Sequence, residues 1–396
     1  MMYSRQFSLL TPILTLFLIS CAVQAPQAPQ VVQIEQQPQT QAPVVRPAFN
    51  ASLFPAEIPV ITVDQLFALT DAQKNDFLQD FEQGSAQSPA HERIAEYLHG
   101  ITYGFNYKEQ TYTASEALAR NAGNCMALAI VTKALADLVD VDLRFQRVTN
   151  APVYDRSANV VMVSDHVRAR LYLPGLPGEP RSWVTIDYFP SRGSRNSGLI
   201  GTDEFLALYY RNRAAELMLD GKENSAFAYA QEALRYQPDA SDTLNIIALL
   251  HRRAGDQATA EAIYAYVLAQ DTTNLNVLYN YLELAKQQQR EGLISELQAQ
   301  IDALPDYNPY TWIALAERAY AEDDIDRAIA MYEKAASYAP YLHEVYWGQA
   351  KLYLELGRPL TAKRILRQGL EEARRSATKK SFKAGWYSFE NTRSRH

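Results

Sequence analysis

The 396-residue sequence predicts an α+β domain, helices first and an antiparallel sheet after, followed by an all-α solenoid. Two observations lead there. From about residue 51 to 140 the apolar residues recur at helical spacing, whereas LRFQRVT, NVVMVS, HVRARLYL and SWVTIDYF, between Leu143 and Phe189, alternate with period two and favour β-branched and aromatic residues. From about residue 203 the strand pattern stops, and turn-forming, small and bulky residues each return every 34 positions.

Taken in order, the chain opens with one basic residue, Arg5, then the 14-residue apolar run FSLLTPILTLFLIS, then Cys21. The run is short for a membrane span, which needs about 20 residues, and reads as an export signal. Leu18, Ile19, Ser20 and Cys21 resemble the lipobox of bacterial lipoproteins. That resemblance implies a signal peptide over 1–20, lipidation at Cys21 and membrane attachment through the lipid; Ala22 after the cysteine implies the periplasmic face of the outer membrane. Residues 21–49 are shuffled Pro, Gln, Ala and Val with little charge, the composition of a disordered tether. The formal charge of −7, spread without long runs of one sign, argues against nucleic acid as the main partner.

The α+β domain is expected over 50–201. Thr62 with Gln65 and Thr70 with Gln73 fit the capping box, and Ser88-Pro89 suits another helix start. Three helices are expected before Cys125, with buried faces from Leu66, Phe67 and Leu69, from Phe77, Leu78 and Phe81, and from Ile94, Tyr97, Leu98 and Ile101. Gly123 and Asn124 can turn the chain into a helix that starts at Cys125 and continues through Ala127, Leu128, Ile130, Val131, Ala134, Leu135 and Leu138. A thiol at a helix start is favoured as thiolate by the helix dipole, the setting of a nucleophile; the other reading is a core cysteine.

A nucleophilic cysteine needs a base and a group to orient it. His91 and His99 belong to a helix, His251 and His343 to the repeats, and His396 ends the chain, which leaves His166 at the start of HVRARLYL. Alternation puts it with Arg168 and Arg170, opposite Val167, Ala169 and Leu171; these arginines suit either an acidic substrate or a solvated face. Asp187 follows Trp183, Val184 and Ile186, where a carboxylate requires a partner: an imidazole N–H, or the turn before Pro190. Read alone, His166 and Asp187 fit structural roles as well as catalytic ones.

Together, TASEALARNAGNCMALA, DHVRARLYL and WVTIDYF resemble the transglutaminase-like core, a papain-related superfamily, over about 95–190. The resemblance implies Cys125 as nucleophile, His166 as base and Asp187 as orienting acid, acting on an amide of a protein or peptide: a peptide bond, an isopeptide or a cell-wall cross-link. The chain departs from the family in having His166-Val167-Arg168 where HxW is common. Tyr107 and Gln110 are candidates to complete an oxyanion hole. With no HExxH, paired CxxC or phosphate-binding glycine loop, no metal or cofactor is expected.

In the solenoid, Gly221, Gly255, Gln289, Asp323 and Gly357 fall on one 34-residue grid, Ala226, Ala260, Ile294, Ala328 and Ala362 on a second, and Tyr210, Leu244, Leu278, Trp312 and Tyr346 on a third. These positions resemble the tetratricopeptide repeat, implying about five helical hairpins over 202–375, the third departing most, that hold a protein partner. Residues 376–396 form a basic tail containing Trp386, Tyr387 and Phe389: a solvated cap, or a site for an acidic lipid or partner. Two functions therefore stand at this point: a lipid-anchored periplasmic cysteine hydrolase or acyltransferase, and an inactive lipoprotein scaffold that binds envelope proteins through its repeats.

Overall fold

The computed structural model describes residues 45–54, 58–84, 88–102, 105–108, 110–157, 160–174, 181, 183–186 and 195–372. The expected signal segment, Cys21, Asp187 and the basic tail lie outside them.

Among the described residues four α-helices, one more than the periodicity implies, precede the cysteine: α1 (Val63–Phe67), α2 (Asp71–Gln83), α3 (Ala90–Thr102) and α4 (Ala114–Arg120). Three start from capping boxes. Thr62 and Thr70 pair with Gln65 and Gln73 as expected, and Thr113 pairs with Glu116 to start the additional helix. With seven residues, α4 is too short for its apolar spacing to stand out. A short parallel pair, β1 (Asn106–Tyr107) and β2 (Ala122–Gly123), then leads into α5 (Cys125–Leu138).

Helix α5 is enclosed almost all round. Cys125–Thr132 and 134–136 are buried, which suits a helix apolar on every side. It packs against an antiparallel sheet of β3 (Leu143–Ser157), β4 (Val160–Tyr172), β5 (Trp183–Ile186) and β6 (Arg195–Ile200), in the order β5-β4-β3-β6. Val167, Ala169 and Leu171 of β4 are fully buried beneath it. NVVMVS and HVRARLYL are one strand rather than two, and LRFQRVT runs on to Ser157 through a register shift between Val148 and Val153. RNSGLI, which forms β6, lacks alternation, so the sequence pattern could not mark it.

The C-terminal part consists of five helical hairpins: α6 (Thr202–Leu219) with α7 (Glu223–Tyr236), α8 (Ser241–Arg253) with α9 (Gln257–Gln270), α10 (Leu275–Gln287) with α11 (Glu291–Asp302), α12 (Pro309–Ala321) with α13 (Ile325–Tyr338), and α14 (His343–Glu355) with α15 (Pro359–Glu372). Each first helix ends the same way. In the first hairpin Gly221 N–H donates to Met218 O and Lys222 N–H to Leu217 O, at 3.3 and 2.9 Å, the Schellman pattern; the same pairs of bonds close the other four. All five grid positions have positive φ: 70° at Gly221, 88° at Gly255, 54° at Gln289, 62° at Asp323 and 66° at Gly357. The non-glycine nodes thus keep the turn while bearing a Cβ that this conformation disfavours. Gln289→Gly and Asp323→Gly are each expected to stabilise the chain by about 1 kcal/mol, read as a higher urea midpoint with an unchanged slope.

The helical positions follow the grids as well. Ala226, Ala260, Ala328 and Ala362 are buried, whereas Ile294 is only half-buried and α11 buries just Leu297 and Ile301 along its length, which makes it the least buried of the repeat helices.

One hydrophobic core runs from Phe54 through the sheet domain and the first three hairpins to Ile301, so the expected boundary at 201/202 is not a gap in packing. Phe145 of β3 stacks on Phe205 of α6 with centroids 3.5 Å apart and planes 3° apart. Tyr210 Oη donates to Ile61 O at 2.8 Å, and Ile61 N–H donates to Tyr229 Oη at 3.3 Å. Of the tether expected over 21–49, only residues 45–49 are among the described residues. At its end Arg46 Nη1 donates to Pro238 O at 2.7 Å and Phe49 lies against the core, while Val45 and Ala48 are exposed. Phe54 stacks on Phe227 at 4.2 Å and meets His251 edge-on; burial pushes the His251 pKa below its usual value.

A second, separate core spans Tyr310 to Leu366 in the last two hairpins. Between the cores the chain is joined by polar contacts at Asp306, which accepts from Tyr279 Oη through its carboxylate at 3.1 Å and from Trp312 Nε1 through its carbonyl at 2.9 Å.

Candidate functional site

Cys125 is the first residue of α5 and is 4% exposed. Asn124 caps the helix, its Oδ1 accepting from Ala127 N–H at 2.9 Å, while its Nδ2 donates to Thr111 Oγ1 at 2.7 Å. The turn before it needs glycine. Gly123 has φ +149°, and a Cβ there would lie 2.7 Å from the Ala127 Cβ. The strand pair fixes this turn from the other side: Lys108 N–H donates to Gly123 O at 3.1 Å, and Asn124 N–H to Gln110 O at 3.3 Å. The thiol therefore starts at the positive end of a 14-residue helix, on a turn held by both flanking segments.

The first repeat helix completes the support. Thr111 N–H donates to Glu216 Oε1 at 2.8 Å, across 105 residues, and Glu216 also pairs with Arg213. Burial pushes the Glu216 carboxyl above its ordinary range, opposed by Arg213 and by Thr111. Asn212 Nδ2 lies 3.7 Å from Met126 Sδ. Asn124 as a cap was legible, being an Asn directly before an apolar helical run. Thr111 and Glu216 carried no local signal, because their bond joins distant segments.

His166 lies inside β4 rather than at a strand start, at the register position opposite Val148. The cysteine helix and the histidine strand are packed neighbours. β5 ends at Ile186, opposite Ala169, three positions along β4 from His166; Asp187, the next residue, is outside the described residues. Tyr107 pairs through its backbone with Gly123, and Gln110 is exposed and gives its carbonyl to the Asn124 N–H. Among the described residues no group of three or more His, Cys, Asp and Glu side chains could hold a metal ion, and no helix is long and apolar enough to cross a membrane.

Five hairpins closed at 34-residue intervals by the same left-handed turn define a helical-repeat protein. Its C-terminal part carries tetratricopeptide repeats: the family model described as tetratricopeptide repeat matches residues 319–384. Among solved structures, the chain is similar to the crystal structure of MamA protein, at 18% identity over 42% of this chain and 91% of that one, with a TM-score of 0.24. It is also similar to PilF of Pseudomonas aeruginosa, at 16% identity, 49% and 93% coverage and a TM-score of 0.29. For MamA of Desulfovibrio magneticus RS-1 the values are 16%, 43%, 96% and 0.24. No curated protein matches the sequence.

Proposed function

We propose that the chain is a protein-binding adaptor, in which the repeats hold a protein partner and the α+β domain is a mount fused to the first hairpin. The observation that carries this reading is the run of five Schellman-closed hairpins, since stacked hairpins of this kind leave a long row of side chains for a partner. Attachment to the periplasmic face of the outer membrane through Cys21 is the setting in which the adaptor would work, with envelope proteins as partners. The test is a photo-reactive residue placed singly at Glu283 of α10 and Glu317 of α12, both exposed on first helices, and at Gln298 of α11, exposed on a second helix. Discrete protein adducts at the first two positions and none at Gln298 are the expected result; equal labelling at all three, or none, rejects the reading.

A second reading is favoured by the thiol turn: Cys125 as nucleophile, His166 as base and Asp187 as orienting acid of a transglutaminase-like hydrolase or acyltransferase. Its support is the placement of Cys125 at a capped helix start beside the strand that bears His166. On this reading iodoacetamide modifies Cys125 at pH 6 faster than it does free cysteine, His166→Ala abolishes the difference, and Asp187→Asn reduces it. Alkylation no faster than that of free cysteine leaves Cys125 as a core residue.

A further inference from the structure

Four loops join the five hairpins, and three of them close in one way. Gln237, Asp271 and Ala339, the first residues after α7, α9 and α13, donate their N–H groups back to the helix at Ala233, Val267 and Ala335 O, at 3.0, 2.9 and 3.0 Å. Ala240, Asn274 and Leu342 then donate to Gln237, Asp271 and Ala339 O at 3.3, 3.3 and 3.1 Å, so a turn clipped to one helix leads directly into the next hairpin. The 34-residue period puts Pro305 at this position in the third loop. Proline has no N–H, so the bond back to Ile301 O cannot form. Asn308 N–H, the group that would close the turn, donates instead to Asp306 Oδ1 at 2.7 Å.

Packing breaks at the same place. Helix α7 packs on α8, α9 on α10 and α13 on α14, whereas α11 and α12 scarcely touch. The first core takes in Leu304, and the second begins at Tyr310. Asp306 and Tyr307 belong to the second side: the Asp306 carbonyl accepts from Trp312 Nε1 at 2.9 Å, and the Tyr307 ring meets that of Tyr338 edge-on with centroids 5.4 Å apart. Polar side-chain contact crosses the joint, with Tyr279 Oη of α10 donating to Asp306 Oδ2 at 3.1 Å.

We propose that residues 304–306 are a hinge on which α12–α15 swing as one body against α6–α11, with the Tyr279–Asp306 bond as its latch. Each body keeps its own apolar core, so the swing exposes little buried apolar surface and meets little hydrophobic resistance. Pro305 holds its own φ at about −65°, which leaves the motion to the torsions on either side of it. The row of first-helix side chains is then two rigid surfaces, one on α6, α8 and α10 and one on α12 and α14, set at an adjustable angle. The hinge is a property of the repeats alone and stands whichever reading of function holds.

Double electron–electron resonance on the full chain tests this, with spin-labelled non-canonical residues at exposed positions so that both cysteines stay as they are. One pair, Gln298 on α11 with Glu333 on α13, spans the joint; Gln270 with Gln298 lies within the first body and Glu333 with Gln368 within the second. The distance distribution across the joint should be at least twice as wide as the other two. Tyr279→Phe, which keeps the ring and removes only the hydroxyl, should widen it further and leave the two internal pairs unchanged. Pro305→Ala, which restores the N–H, should narrow it. Equal widths for all three pairs overturn the proposal. So does a width across the joint that neither Tyr279→Phe nor Pro305→Ala alters.

Discussion

Phe205→Ala is expected to destabilise the chain by about 3–5 kcal/mol, because it removes a fully buried ring that stacks on Phe145 and closes the seam between the sheet and the first hairpin. The site has little means of collapsing onto the gap: Phe67 is 6.5 Å away by ring centroid, and the rest of the wall belongs to a continuous core. Urea unfolding measures the loss. Hydrogen exchange should locate it in residues 45–301, with the last two hairpins opening as before. A loss below about 1 kcal/mol would show that the sheet and the repeats pack independently.

Gly348→Ala should act on the other core. A Cβ at Gly348 would lie 2.2 Å from Cζ, 2.5 Å from Cε1 and 2.6 Å from Oη of Tyr332, a ring that is itself 8% exposed and packed in the crossing of α13 with α14. Alanine is the better helix former by about 1 kcal/mol, so the clash acts against a propensity gain. Overpacking of this kind costs about 1–3 kcal/mol, and the net expectation is a loss of about 2 kcal/mol confined to residues 309–372. Tyr332→Leu in the same chain should recover part of it by making room. An unaltered urea midpoint for Gly348→Ala would mean that α13 and α14 do not cross this closely.

How much of this was legible in the sequence depends on how local each signal is. The 34-residue grids are repeated local chemistry, so the hairpins could be read from them, and Gln289 and Asp323 kept the turn because the Schellman bonds around them are backbone bonds that do not require glycine. The two capping boxes at Thr62 and Thr70 were local too. What the sequence hid is long-range: the stacking of Phe145 on Phe205, the bond from Thr111 to Glu216, and the docking of residues 45–54 beside the first hairpins, where Phe54 meets Phe227. Strand pairing was also hidden, since a register shift lets β3 run through residues with no clear alternation and β6 has none at all. At the thiol turn the sequence pointed to Gly123, Asn124 and Cys125 together, because a strained turn, a cap and a helix start are all nearest-neighbour features.

The measurement that bears most directly on the adaptor reading is the yield of the partner adduct at Glu317 in three full-length chains: the parent, Cys125→Ala and Gly348→Ala. The yield should be the same in the parent and in Cys125→Ala, and should fall severalfold in Gly348→Ala, where the hairpin bearing Glu317 is destabilised. An adduct lost in Cys125→Ala and kept in Gly348→Ala would contradict the adaptor reading and place recognition at the thiol.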